Sequence, residues 1–246
     1  MASMKRPLIA VPVTEKSKDG IISAFKRLSE KGADLIEWRA DCFSDIEAFD
    51  KVEEVLSSSP ENLLFTVRTK DEGGFFSGSR EDYFQLLKLS AATKKPKIID
   101  VQLRDLSADK ASDKASFVRE LKESGTKVLI SYHDFSGTPS YEEMEEILYS
   151  MKDSGASIVK LAVTAKDPEE AVRLLKLSEN FTRKNPEIDT VTISMGPFGI
   201  LSRIGGFITG SCITFASEDK EKASAPGQLT FDDMKDVLSI IERNQQ

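Results

Sequence analysis

The chain of 246 residues is 39% hydrophobic and 30% charged, with a formal net charge of −7 at pH 7; that length suits one large domain or two small ones, with enough apolar material for a buried core. Nine Pro and 14 Gly without a period exclude collagen-like and low-complexity chains, and an acidic, evenly mixed surface argues against nucleic acid, whose phosphates need clustered Lys and Arg. The longest apolar runs, such as Leu8 to Val13, are strand-length pieces, too short to span a membrane. Met1 to Pro7 lacks the apolar region of a signal peptide, Met4 offers an alternative start, and residues 1–6 read as a loosely attached extension. Cys42 and Cys212 form no spaced pair, which fits a reducing, cytoplasmic compartment and no disulfide framework.

In chain order, short apolar runs fall at Pro7 to Val13, Asp34 to Asp41, Leu63 to Thr69, Lys97 to Leu103, Lys127 to Phe135, Ile158 to Thr164, Asp189 to Met195 and Cys212 to Ser217. Amphipathic stretches separate most of them. Met144, Ile147, Leu148 and Met151 have helical spacing, as do Met234, Val237, Leu238 and Ile241. Helix starts are signalled by Ser44 with Glu47, by Ser140 with Glu143, and by Asp167-Pro168-Glu169-Glu170. Gly32, Gly125 and Gly155 stand where left-handed caps close helices. Eight strands alternating with helices in about 250 residues match a (β/α)8 barrel of one domain. A doubly wound open sheet is the alternative, but the Gly-rich first turn it usually carries is missing after Val13. Phe198 to Phe207 leaves room for only a short helix between the last two strands.

Parity along each strand sorts side chains to two faces. Glu37, Arg39 and Asp41 lie opposite Ile36 and Trp38; Thr66 and Arg68 opposite Phe65 and Val67; Asp100 and Gln102 opposite Ile99, Val101 and Leu103. Ser131 and His133 lie opposite Ile130 and Tyr132, and Lys160 and Ala162 opposite Val159, Leu161 and Val163. In a barrel the apolar face meets the helices, so the charged face projects inward and toward the C-terminal mouth, where barrel enzymes hold their sites. The same rule puts Met195 outward, with Val191 and Ile193.

Lys160 sits in an otherwise apolar strand. Burial lowers a lysine's pKa toward the neutral amine, the nucleophile of Schiff-base chemistry; the alternative is a structural pairing with Glu37, Asp41 or Asp100. His133 is the only histidine, either a hydrogen-bonded interior residue or a proton carrier beside Lys160. One histidine makes a His-rich zinc site impossible, and Arg39 and Arg68 disfavour Mg²⁺ at the carboxylates. Glu72, before Gly73-Gly74, is either solvated or turned toward His133 to orient it. Ser202 and Arg203 follow strand seven. In the tract after strand eight, Glu218 to Lys222 reads as mobile and solvated, and Ser224 to Gln228 as either a closing lid or an ordinary loop.

Taken together, Glu37-Trp38-Arg39-Ala40-Asp41, Phe65-Thr66-Val67-Arg68 with Glu72-Gly73-Gly74, Tyr132-His133-Asp134-Phe135, Val159-Lys160-Leu161-Ala162-Val163 and Ser224-Ala225-Pro226-Gly227-Gln228 resemble the type I 3-dehydroquinate dehydratases, in order from Pro7 to the C-terminal helix. The resemblance implies a (β/α)8 barrel of the shikimate pathway, usually a homodimer, without metal or cofactor. It would convert 3-dehydroquinate to 3-dehydroshikimate through an imine on Lys160. By the same resemblance His133 would shuttle protons, Glu72 would orient it, and Arg203 would hold the substrate carboxylate with Ser224 and Gln228 closing over it. Glu37, Arg39 and Arg68 would bind ring hydroxyls and balance charge around Lys160, and Met195 would pack on the ring, which requires a bend at the end of its strand. The competing readings are a class I aldolase sharing the lysine, whose sugar phosphate would need a backbone cradle near Gly205-Gly206 and Gly210-Ser211, and a non-catalytic barrel that binds a small acid.

Overall fold

The computed structural model describes residues 6–107, 114–222 and 227–244. Strands β1 (Leu8–Val13), β2 (Leu35–Arg39), β3 (Leu63–Thr66), β4 (Ile98–Gln102), β5 (Lys127–Asp134), β6 (Ile158–Thr164), β7 (Asp189–Met195) and β8 (Ile213–Phe215) are all parallel, each beside its sequence neighbour, with β8 on the far side of β1. A bridge between Thr190 and Ser211, with Cys212 N donating to the Thr190 carbonyl at 2.8 Å, joins β7 to β8 and closes the (β/α)8 barrel. Around it run α1 (Lys18–Lys31), α2 (Phe49–Ser57), α3 (Arg80–Ala92), α4 (Leu103–Ser107), α5 (Lys114–Lys122), α6 (Tyr141–Asp153), α7 (Pro168–Lys184), α8 (Ile200–Gly205) and α9 (Phe231–Arg243). β3 and β8 are shorter than their apolar runs, and the connection after β7 is indeed a short helix, α8, between two 3-10 turns. Among the described residues, no helix is long and apolar enough to cross a membrane, and Cys42 and Cys212 are free thiols.

Local chemistry sets most helix ends. Ser140 and Glu143 form a reciprocal capping box at α6, Ser79 and Asp82 another at α3, and Asp167 caps α7 with Pro168 in its first turn. Gly32, Gly125 and Gly155 take positive φ as the sequence requires. The Ser44–Glu47 signal is overruled: α2 begins at Phe49, because the Ser44 N–H instead donates to the Lys16 carbonyl at 3.0 Å, fastening this turn to the loop after β1.

Two apolar layers result. The outer one packs Ile9, Val11, Val13, Ile36, Trp38, Phe65, Val101, Ile130 and Leu161 against the helices, with Trp38 meeting Phe25, Phe43 and Phe65 edge-on. Inside the barrel each strand contributes one side chain to a plug of Ala10, Leu35, Leu64, Ile98, Leu129, Ile158, Val191 and Ile213. One step nearer the C-terminal mouth, parity brings inward Glu37, Thr66, Asp100, Ser131, Lys160, Ile193 and Phe215.

β7 reverses the expected facing. Val191, Ile193 and Met195 join the inner layer, so Met195 points inward with no bend, and Thr190, Thr192 and Ser194 face outward. The cause is the cover over this strand. α8 and its flanking turns press close enough that a Cβ at Gly199 would run into the Ser194 carbonyl. Ser202 Oγ accepts from Ser194 N at 2.9 Å, and Ser211 Oγ from Thr192 N at 3.2 Å. Small polar side chains fit that close approach. The hydroxyl of Thr192 is nonetheless buried with no hydrogen-bond partner among the described residues, so Thr192→Val should raise the unfolding free energy by about 1 kcal/mol, read as a higher urea midpoint at unchanged slope.

Candidate active site

At the C-terminal mouth Glu37, Arg39, Arg68, Glu72, His133, Lys160, Met195, Arg203 and Gln228 line one cavity together with Gly73, Phe135, Ala162, Ile193 and Phe215. β2, β3, β5, β6 and β7 deliver most of these from strand ends; Glu72 comes from a 3-10 turn after β3, Arg203 from α8, and Gln228 from the segment leading into α9. Ser224 lies outside the described residues. Of the further lining residues, sequence parity places only Ala162 on this face; it sets Ile193 outward and gives Phe135 and Phe215 no part in the site.

Arg68 organises the ionic part. Its NH1 reaches Glu72 Oε2 at 3.2 Å, Gln102 Oε1 at 3.1 Å and Ser131 Oγ at 3.0 Å, and its NH2 reaches Asp100 Oδ2 at 2.8 Å. Ser131 Oγ donates to Asp100 Oδ1 at 2.7 Å. Arg39 forks onto Asp41 at 2.8 and 2.7 Å, and Asp41 also accepts from the backbone N–H groups of Arg68 and Phe75. Glu37 accepts from Thr66 Oγ1 at 3.0 Å. The chain can turn so tightly after Arg68 only with glycine at position 74, where a Cβ would overlap the Arg68 carbonyl.

Lys160 differs from both arginines. It is 4% exposed, and among the described residues its Nζ makes neither a hydrogen bond nor an ion pair; it stands 4.1 Å from the centre of the Phe215 ring. No structural pairing with Glu37, Asp41 or Asp100 within ion-pair distance is present. Burial lowers its pKa, against the pull of Glu37 and Asp100, and the Arg68 and Arg39 charges lower it further. His133 Nδ1 lies 2.8 Å from Glu72 Oε2, with the Phe135 ring stacked alongside at 6.4 Å between centres. Burial, and then the positive charges of Arg68 and Lys160, hold His133 well below the usual histidine range. Burial raises Glu72 to about 7, against Arg68. Glu72 therefore changes protonation near neutrality beside a neutral imidazole, and the ring's other nitrogen, Nε2, is not engaged by Glu72. Burial alone lowers Arg203 to about 10. Among the described residues, no group of three or more His, Cys, Asp or Glu side chains is placed to hold a metal.

The tract after β8 is partly tied down, contrary to its mobile, solvated reading. Arg27 Nε and NH2 reach the two oxygens of Glu218 at 2.9 and 3.1 Å, and Lys222 Nζ bridges Glu218 Oε2 at 2.7 Å and Glu15 Oε1 at 2.9 Å. Asp219, Lys220 and Glu221 between them are exposed as expected. Beyond, Gly227 has φ +75 and passes against the Gly196 carbonyl, where a Cβ would stand at 2.6 Å.

A closed (β/α)8 barrel with a buried lysine, a histidine–carboxylate pair and further cations converging at its mouth defines the class, a barrel enzyme. The profile of the family described as Type I 3-dehydroquinase matches residues 9–245. A 3-dehydroquinate dehydratase of Clostridioides difficile (strain 630) is 35% identical over 244 residues, 97% of this chain and 93% of the relative. The crystal structure of the Geobacillus kaustophilus HTA426 3-dehydroquinate dehydratase superposes with a TM-score of 0.89 at 29% identity, covering 98% of this chain and 93% of that one. That of the Clostridium difficile type I enzyme with covalently modified comenic acid gives 0.88 at 34% identity, covering 97% and 93%. The chain belongs to the type I 3-dehydroquinase family, the hydro-lyases that dehydrate 3-dehydroquinate.

The Arg27 hydrogen bond holds Glu218 down to about 2. A depressed carboxyl stabilises the fold fully above its unfolded pKa of about 4.3 and loses that contribution as pH falls toward 2. Glu218→Gln should cost about 1 kcal/mol at pH 7, the scale of an ion pair whose cations are partly exposed and screened by solvent. It should also flatten the stability profile between pH 4.5 and 2, read by denaturant titration at each pH.

Proposed function

We propose that the dehydration runs through a Schiff base on Lys160. The amine adds to the substrate ketone, and the carbinolamine loses water to give an iminium. The iminium draws electrons from the adjacent C–H bond, so a proton leaves that carbon and an enamine forms. The enamine expels the β-hydroxyl as water, and hydrolysis of the resulting imine frees 3-dehydroshikimate and the lysine. The observation that carries this reading is the state of Lys160, buried at the mouth, depressed toward the neutral amine and, among the described residues, bonded to no carboxylate, while Arg39 and Arg68 are committed to theirs.

His133 moves the protons, with Nε2 as the working nitrogen, and Glu72 holds the ring through Nδ1. It serves imine formation and hydrolysis, takes the proton from carbon and delivers one to the departing hydroxyl. Arg203, a buried cation on the cavity wall, takes the substrate carboxylate, closed over by Gln228 and Ser224. Glu37, Arg39 and Arg68 face the ring hydroxyls and balance the charge around Lys160, and Met195 packs against the carbocycle. The reaction as written uses no metal or cofactor. We place this one-domain enzyme in the cytoplasm, as a homodimer whose mass sedimentation would read.

Borohydride added during turnover of 3-dehydroquinate should reduce the imine and leave ligand mass on the peptide carrying Lys160. A folded, active protein that yields no adduct, or one elsewhere, overturns the assignment. Lys160→Ala should lower kcat by at least about 10⁴-fold, since both the covalent step and its electron sink are lost. His133→Ala should slow dehydration by about 10²- to 10⁴-fold and also slow product release from the imine; release at the parent rate would remove the shuttle role.

A further inference from the structure

Glu72 has two carboxylate oxygens, and the pairings above occupy only Oε2. Its Oε1 is buried and accepts no hydrogen bond among the described residues. Arg104 of α4 places its Nε 3.6 Å from that oxygen. Arg104 is anchored independently of Glu72: its guanidinium lies over the Tyr132 ring, 4.5 Å from the centre, and NH2 donates to Tyr132 Oη at 2.8 Å. Its side chain is 44% exposed and does not line the substrate cavity. It reaches the inner carboxylate from the solvent side of the barrel wall.

We propose that Arg104 is a positioning residue which, by facing Glu72 Oε1, keeps Glu72 a carboxylate and so fixes the tautomer of His133. The inference rests on the reading of Glu72 and His133 as the proton-handling pair. An ionised Glu72 accepts the Nδ1–H of His133 and leaves Nε2 with its lone pair, ready to act as a base. A protonated Glu72 instead donates to Nδ1, and the ring proton moves to Nε2, which can then take none. The ionisation of Glu72 therefore decides whether the working nitrogen is base or acid.

The other charges around Glu72 come from every neighbouring element. Arg68 from the end of β3 and Arg104 from α4 favour the carboxylate; Asp100 from β4 and Asp105 from α4 oppose it. On β5, His133 also feels Lys160 of β6 and Arg39 of β2. Arg68 is divided among four partners, so Arg104 is the cation whose removal changes Glu72 without dismantling the rest of the network.

Because His133 is the only histidine, ¹⁵N-histidine labelling of the whole protein gives one imidazole whose two nitrogens report the tautomer directly, without substrate. In the parent the Nδ1–H form should dominate above about pH 7, where Glu72 is ionised. Arg104→Gln should move the tautomer change, and the acid limb of the kcat profile, up by about one pH unit, with KM little altered. Arg104→Lys should restore most of the shift, and Tyr132→Phe, which keeps the ring but releases the NH2 contact, should give a smaller shift in the same direction. An imidazole titration unmoved in a folded Arg104→Gln protein, or a rise in KM with an unshifted kcat profile, overturns the proposal. Glu72→Gln separates the two readings. If it leaves the His133 nitrogens undisturbed, the Glu72–His133 pairing itself fails. If it perturbs them while Arg104→Gln does not, only the role of Arg104 falls.

Discussion

The mouth of this barrel depends on one buried guanidinium. Arg68 joins side chains from β4, β5 and the turn after β3, and its own backbone N–H is held by Asp41 beyond β2. Without it, Asp100 would be an enclosed carboxylate with no ion-pair partner and Glu72 would keep only the more distant Arg104, a cost of several kcal/mol. With it, their positions relative to Lys160 and His133 are fixed before any ligand arrives, which is the preorganisation that electrostatic catalysis requires. Arg39 and Asp41 extend the same scaffold to β2. The network leaves Lys160 outside its hydrogen bonds, and the chemistry proposed here needs an amine in that condition.

Much of this was legible in the sequence because it follows from parity. The alternation of charged and apolar residues in β2 through β6 places Glu37, Arg68, Asp100, Ser131, His133 and Lys160 inside the barrel, and the structure puts them there. The same logic failed at β7 for a physical reason. It assumes that the outer face meets a long apolar helix, whereas β7 is partly covered by α8 and its turns at backbone contact distance. Hydroxyl-bearing side chains suit that close cover, so polarity and facing are exchanged. What parity could not show at all is convergence: that Asp100, Gln102 and Ser131 meet on Arg68, joined by Glu72 from the turn after β3, is a property of barrel curvature and strand stagger.

Pairings between residues far apart in sequence were hidden for a related reason. Glu218 reads as part of a charged surface run until Arg27 and Glu15 are brought to it by the closing of β8 onto β1. Ser44 and Glu47 have the spacing of a helix cap, yet a tertiary hydrogen bond to Lys16 claims the turn first. Phe215 became visible as a neighbour of Lys160 only once the three residues of β8 had been placed. Local chemistry decided the outcome where nothing distant competed, as at Ser140, Asp167 and the three glycine caps.

The barrel is not equally strong around its circumference. Seven of its seams are ladders of paired residues, whereas β7 and β8 meet through a single bridge and a few contacts near Ser211. Met195, Lys160 and His133 stand on the β7 side of that seam, on strands joined by continuous ladders, while Phe215 and Gln228 reach the cavity from the β8 side. A substrate held as proposed would span from one side to the other and act as a staple across the cylinder's weakest line. Occupancy would then slow amide exchange along β7, α8 and β8 most of all, so the enzyme's working state would also be its best-closed one.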